Sequence, residues 1–503
     1  APGNPIVIGK YGTGDRPLIN GAGLGANTLS FFNQEYFEVH DLAITNTGEG
    51  VAMRCGIYYE AMDMGKITHL VFDNLKVYNV NGDMSTKYNG GIFLDITGSA
   101  IPTWFDTLIV RNCHIHDVNR TGLSNRSYWD TRTLEDNGDW TPSTNVHIHH
   151  NTFERTGANA LIVRASDKPL MEYNLFTHCS ILGTGNASFS FNTDSAIWQF
   201  NEARYTRYNE GDNDAGGFDS DYKSKHTIIQ YNYTHNNGFS GMLLTGGPGS
   251  GSGFNEGTVI RYNVFANNAH HQLRTSGQAT NSLIYNNVFF TGPEMSDVQE
   301  IWQKSWGGAA SEGNFYYNNI FYNLGANTSM DVDQGLNTEF LHNIYYGDSI
   351  AGMPDDPMGV YEDPMLVDPE SAGDGYDEIL KFMIQANSVA VDRGLNIEGN
   401  GGVDLLGRPI PIGNSTDIGA FELQEVTDLA EQTTLSIKVV NSANEPVAGA
   451  EVSLDQYGSV VSDVQGVALF TAVATKDTLQ FSVSKSEFVD TAGEVYVWKE
   501  DVF

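Results

Sequence analysis

Short bursts of apolar and polar residues in strict alternation run from about residue 60 to residue 350, with Ile, Val, Tyr and Phe taking every second place. That is the pattern of half-buried strands, and no segment carries the i, i+3, i+4, i+7 stripe of an amphipathic helix. The bursts share a refrain, an Asn flanked by strand-forming residues. It occurs at Asn74 (FDNLKVYNV), Asn112, Asn151, Asn174, Asn201, Asn232 (IIQYNYTHNN), Asn263, Asn287, Asn319 and Asn343. Successive spacings are 38, 39, 23, 27, 31, 31, 24, 32 and 24 residues. A unit near 24 residues, with excess length absorbed as insertions, predicts stacked supersecondary units. One such repeat cannot bury its own apolar side, whereas coils stacked on coils share a continuous core, so the pattern predicts an all-β solenoid. Placed at a corner of each coil, the Asn amides would bond from coil to coil about 4.8 Å apart, as in the amide ladders of other stacked sheets.

The same pattern divides the chain. Residues 1–60 read as short strands that start and cap the solenoid, and the coils follow to about 350. The longest insertions lie between Asn112 and Asn151 and between Asn174 and Asn201. From 350 to 423 the repeat loosens and ends in DIGAFEL; the polar stretch 425–434 reads as a linker. Beyond it, TLSIKVVN, AGAEVSL, VALFTAV, TLQFSVS and EVYVWK are alternating strands of a small β-sandwich. EPVAGAEVSL and SDVQGVALF resemble carboxypeptidase-regulatory-like or bacterial immunoglobulin-like modules. The expected domains are a solenoid over 1–424 that carries the chemistry and a β-sandwich over 435–503.

Composition narrows the partners. The formal net charge of −35 leaves no basic stripe to release counterions from phosphates, which argues against DNA or RNA. No apolar run approaches the roughly 18 residues of a membrane-spanning helix, so no membrane insertion is expected. Residue 1 falls next to strand-like NPIVIGKYG, as if a leader had been removed. Cys55, Cys113 and Cys179 lie in or beside repeat strands and read as buried free thiols, with one bridge between neighbouring coils as the alternative. The chain is expected to act as a monomer.

Outward side chains of a solenoid wall form columns along which a polymer can lie. Aligning the second strand of each coil by its inward apolar residues gives one outward column of Phe93, Ile162, Ser190, Asp219, Leu243, Arg274 and Trp302. A second column holds Asp95, Arg126, Arg164, Asn192, Asp221, Thr245, Ser276 and Lys304. Asp219 and Asp221 stand at i and i+2 on one strand, about 6.5–7 Å apart, where like charge raises one pKa and separates an acid from a base. Glycoside hydrolysis needs such a pair. Asp219, Asp221, Asp194 and Glu202 are therefore the catalytic candidates. Arg164, Lys223 and Arg274 could hold anionic groups; Trp198 and Trp302 could stack on sugars; Asn192, Tyr222 and His271 complete the expected substrate contacts. No cofactor is required by this chemistry, although the oxygens of Asp212 and Asp214 could hold calcium.

Several of these stretches resemble a known group. VIGKYGTGDRPLING, MRCGIYYEAMDMG, VYNVNG, NTDSAIWQFNEARYT, GGFDSDYKSKHTIIQYNYTHNNGFSGM and DIGAFEL are similar to secreted bacterial right-handed parallel β-helix proteins over about residues 5–423. The DSAIW, NE, GFDSD and IIQYNY series resembles β-helix glycoside hydrolases of marine polysaccharide-degrading bacteria, with the endo-α-1,3-fucanases of glycoside hydrolase family 174 as the named group. The resemblance implies a secreted, periplasmic or cell-surface endo-acting hydrolase of an anionic, sulfated polysaccharide such as fucan. Two other readings remain open: a calcium-dependent polysaccharide lyase and a non-catalytic glycan-binding protein. An ultraviolet-absorbing unsaturated product marks the lyase, and saturable binding without chain shortening marks the binder.

Overall fold

The computed structural model describes residues 3–249, 253–423, 432–441, 445–474, 477–486, 488 and 491–497. Two compact units emerge, Ala1–Leu423 and Gln424–Phe503. The first is a parallel β-helix. Its coils contribute to three long parallel sheets of twelve, twelve and eleven strands, in which each strand pairs with its counterpart one coil on. The first sheet runs from Ile6–Ile8 to Glu339–Leu341, the second from Leu18–Asn20 to Ile344–Gly347, and the third from Asn27–Phe32 to Ser329–Asp331. A fourth, short parallel sheet joins Ser224–Lys225, Asn255–Glu256 and Ala279–Thr280.

Alternation places one to three apolar side chains of each strand inside, as with Ile92, Leu94 and Ile96, and like residues then stack along the axis. Phe265, Phe289, Phe321 and Tyr345 lie face to face at 4.7, 5.0 and 5.3 Å between ring centres. Residues 351–423 add no further strand to the stack beyond single parallel bridges of Ala351 to Ser329 and of Val360 to Ile344. They fold as turns and short 3₁₀ segments, Pro369–Ser371 and Tyr376–Phe382, and pack Ile379, Phe382, Leu405 and Phe421 against Tyr233, Val264 and Phe290.

The Asn refrain is a hydrogen-bonded ladder. From Asn151 through Asn174, Asn201, Asn232, Asn263, Asn287 and Asn319 to Asn343, each Nδ2 donates to the next Oδ1 at 3.0 Å. Each backbone N–H of the same residues donates to that same oxygen. Asp356 ends the ladder by accepting from Asn343. The residue before each rung holds a left-handed backbone even where it is Tyr173, Phe200 or Tyr231 (φ 52°, 54° and 57°), a conformation that costs an L-residue about 1–2 kcal/mol. The buried ladder secures these corners. Asn74 and Asn112 depart from the expectation: they occupy that preceding left-handed place, and their side chains donate to Asp41 and Asp73. Leu75 and Cys113 take the rung position there, and the Cys113 N–H donates to Asn151.

The three cysteines are free and buried, and burial pushes each thiol up to about 12. Among the described residues no helix is long and apolar enough to cross a membrane. Among its described residues the second unit has two antiparallel sheets, of two and four strands, around Val452, Leu454, Ala468, Phe470 and Leu479. Residues 425–431 of the expected linker lie outside the described residues.

Candidate active site

The third sheet carries the acids. Its register aligns Phe93, Ser124, Ile162, Phe189, Asp219, Leu243, Arg274 and Trp302 in one outward column. Phe189 stands where Ser190 was expected, because that strand is shifted by one residue. The cause lies inside the coil: Trp198 is wholly buried at this level, and its Nε1–H reaches the Ser190 hydroxyl at 3.4 Å. An indole fills the space, so small serines face inward and the two phenylalanines face outward. The second column accordingly runs Asp95, Arg126, Arg164 and Phe191. Asn192 falls beyond it, at a left-handed corner.

Asp219 sits on the outward face yet is only 6% exposed. Its Oδ2 accepts a hydrogen bond from the Asn186 amide at 2.9 Å, and Oδ1 has no partner. Burial, with the charges of Asp221 and Asp214, raises its pKa well above the usual carboxylate range. Asp221 follows at the strand end, where Oδ1 accepts from the Tyr222 N–H at 2.8 Å. Burial pushes its pKa up to about 7 against the pull of Lys87 and Arg164. The insertion before this strand adds Asp212 and Asp214, and burial and Asp214 raise Asp212 as well. Among the described residues no three His, Cys, Asp or Glu side chains converge as a metal site.

Four cations surround the acids without ion-pairing to them. Arg274 is buried beneath Phe239 and Trp302, with its Nε unpartnered, and feels Asp212, Asp214 and Asp219. Lys87 and Arg164 both lie over the Phe189 ring, at 4.7 and 5.7 Å. Arg120 donates to Asn159, and its Nε is unpartnered. Burial lowers the pKa of each, that of Arg164 to about 10.

On one side of the acids the wall opens into a cleft of about 620 Å³. Tyr88, Arg126, Tyr128, Trp129, Asp130, Arg164 and Phe191 are among its lining residues. One side is the insertion after residue 127. Asp194 and Asn192 hold that insertion in place: Asp194 pairs with buried Arg132 at 2.8 Å, and Asn192 donates to the Asp130 carbonyl at 2.6 Å. Lys225 adds a bond to the Leu134 carbonyl, and Arg132 stacks on Trp140 at 3.9 Å. The structure thus gives Asp194 and Asn192 loop-fixing contacts.

Other expected residues separate. Glu202 lies on the second sheet, not the third. It accepts from Arg204, from buried His235 and from the Gly375 N–H; burial would raise its pKa, but these partners outweigh that and lower it. Trp198 is a core residue and cannot stack on a ligand. His271 is buried against Trp302, rings 4.5 Å apart, and burial beside Arg274 drives its pKa down to about 2. Tyr222 packs edge-on against Phe191 at 5.0 Å, and Lys223 lies 6.0 Å over the same ring. Sequence reasoning missed Lys87, Asn186, Tyr88 and Tyr128. Lys87 and Tyr88 sit on the loop between the strands Lys76–Val80 and Gly90–Thr97 of one coil, where period-two alignment has no column to assign them.

No family model matches the chain. A lacto-N-biosidase of Bifidobacterium longum subsp. longum is 25% identical over 311 residues, 54% of this chain. The chain spans 18% of that curated relative's length. Among solved structures, a GH136 lacto-N-biosidase from Eubacterium ramulus aligns with 62% of this chain and 57% of its own, at 22% identity and a TM-score of 0.47. The A-module of the Azotobacter vinelandii mannuronan C-5 epimerase AlgE6 covers 65% and 83% (10% identity, TM-score 0.40), and pectate lyase Pel9A covers 73% and 88% (13% identity, TM-score 0.30).

Proposed function

We propose that this chain is an endo-acting glycoside hydrolase that uses Asp219 and Asp221 as its acid–base pair. The observation that carries the reading is two carboxyl groups two residues apart at the end of one strand, both raised by burial, with a cleft on the same wall that reaches their neighbours Arg164 and Phe191. Asp219 is almost wholly buried, one of its oxygens has no partner, and the charges of Asp221 and Asp214 bear on it, so we assign it as the general acid that protonates the leaving oxygen. Asp221 faces Lys87 and Arg164, which favour its ionised form, so it is the base or nucleophile. The likeness to a lacto-N-biosidase supports hydrolysis of a glycan and is silent on which glycan this chain takes.

The finer reading is a secreted enzyme acting on a sulfated polysaccharide such as a 1,3-fucan. It rests on the sequence resemblance and on Lys87 and Arg164, cations near the acids with no ion-pair partner among the described residues. Such groups can receive sulfate or carboxylate through charge-assisted bonds. The test is incubation with sulfated fucan, alginate, pectate and a glycan ending in lacto-N-biose, reading reducing ends and ultraviolet absorbance together. New reducing ends without absorbance support hydrolysis. An absorbing product that vanishes with a chelator replaces it with the calcium-dependent lyase, and saturable binding with no new ends replaces it with the glycan binder.

A further inference from the structure

The most elaborated surface outside the acid cluster lies three coils away on the same wall. Arg126 is gripped by Asp95 through two bonds, Nε to Oδ1 at 2.8 Å and Nη2 to Oδ2 at 2.5 Å, and the Tyr58 hydroxyl donates to the same carboxylate. The guanidinium lies 4.4 Å over the Tyr88 ring and 5.0 Å over the Tyr128 ring. A guanidinium tied on its edge and covered by two rings is a rigid, flat platform. Its tyrosines are nevertheless 36% and 52% exposed, so packing within this chain leaves much of both rings uncovered. Arg126 stands three coils before the strand of Asp219, about 14 Å along the axis at the spacing of parallel strands. The cleft covers most of that interval and stops one coil short of Asp219: Tyr88, Arg126 and Tyr128 line one part of it, and Arg164 and Phe191, neighbours of Asp221, line another. Its volume falls within the roughly 300–1,000 Å³ of ligand sites.

We propose that the Tyr88–Arg126–Tyr128 platform and its cleft hold glycan units several residues from the bond that is cut. The inference rests on the hydrolase reading and deepens it. The apolar C–H faces of sugar rings can cover the tyrosines while their hydroxyls stay in water. Contacts so far from the reacting atoms act only on chains long enough to reach them, and their binding energy is then available to orient the bond at Asp219. The enzyme therefore discriminates by chain length.

The experiment compares wild type with the Tyr88→Ala/Tyr128→Ala variant on a size-fractionated ladder of whichever panel polysaccharide wild type cleaves. Both changes are at exposed rings, and far-ultraviolet circular dichroism verifies the fold. For wild type, kcat/KM rises with length until the cleft is filled. For the variant, kcat/KM on the longest chains falls tenfold or more, while the shortest cleaved oligomer is cut at the wild-type rate. Equal loss at every length, or no loss at any, overturns the platform and leaves the hydrolase reading standing. Full activity of Asp219→Asn on the same ladder, or no cleavage by wild type, removes the hydrolase reading and the platform with it.

Discussion

Glu300 lies wholly inside the coil, where its Oε1 accepts from the Thr291 hydroxyl at 2.6 Å and its Oε2 has no partner. Burial pushes its pKa up to about 7 from the 4.5 of an unperturbed side chain. A carboxyl raised on folding contributes most stability below its unfolded value and loses that contribution as pH rises toward the folded one. Glu300→Gln should therefore change stability little at pH 4.5 and stabilise by on the order of 2–3 kcal/mol at pH 8. Denaturant melts at the two pH values read this directly; equal effects at both would refute it. Asp219 and Asp221 stand out in the sequence because two acids at i and i+2 of an extended segment share a face; the strand ends at Ser220 and Asp221 follows it, close enough for its charge to act on Asp219. Lys87 and Asn186 were illegible, since their proximity to those acids follows from the geometry of the loops that join the second sheet to the third.

At the scale of elements, the Asn ladder was read correctly from Asn151 onward and misplaced by one residue before it. The refrain contains two neighbouring positions that both favour Asn: a left-handed corner and the rung after it. Sequence alone does not say which a given Asn occupies. The consequences differ. Asn232 donates to the Trp198, Gln230 and Asn263 oxygens and accepts from both the N–H and the amide of Asn201. Asn232→Ala strands several buried groups and should cost about 2–4 kcal/mol, whereas Asn74→Ala, at a half-buried corner outside the ladder, should cost about 1 kcal/mol. Comparable losses would mean that the ladder is not what holds the coils. The slipped column at Phe189 teaches a related lesson. An outward Phe and an inward Ser look inverted until Trp198 is seen to occupy the interior.

The whole molecule carries a formal charge of −35, and most of it lies on the surface of a stack of coils. Self-repulsion of this size destabilises a compact state and is screened by salt. The thermal midpoint should rise by several degrees between about 10 mM and about 0.5 M NaCl, beyond one Debye-length regime to another. A flat response would show that the acids are compensated locally. Coils and a small antiparallel β unit after them were legible at this scale, because period and turn chemistry are written along the chain; residues 1–60, read as a start and cap, supply strands of the regular coils from Ile6 onward. Which wall each acid occupies was not: Glu202 shares a coil with the site and faces a different sheet.

The central claim is that the two carboxyls of Phe218–Asp221 perform the chemistry. The most direct measurement is kcat/KM against pH for wild type, Asp219→Asn and Asp221→Asn on one cleaved polysaccharide, with folding checked in parallel. The account predicts a wild-type rate that falls on the alkaline side as the raised acid loses its proton. It also predicts a loss of a thousandfold or so in each variant. Two variants that cleave at the wild-type rate with an unchanged profile would contradict it.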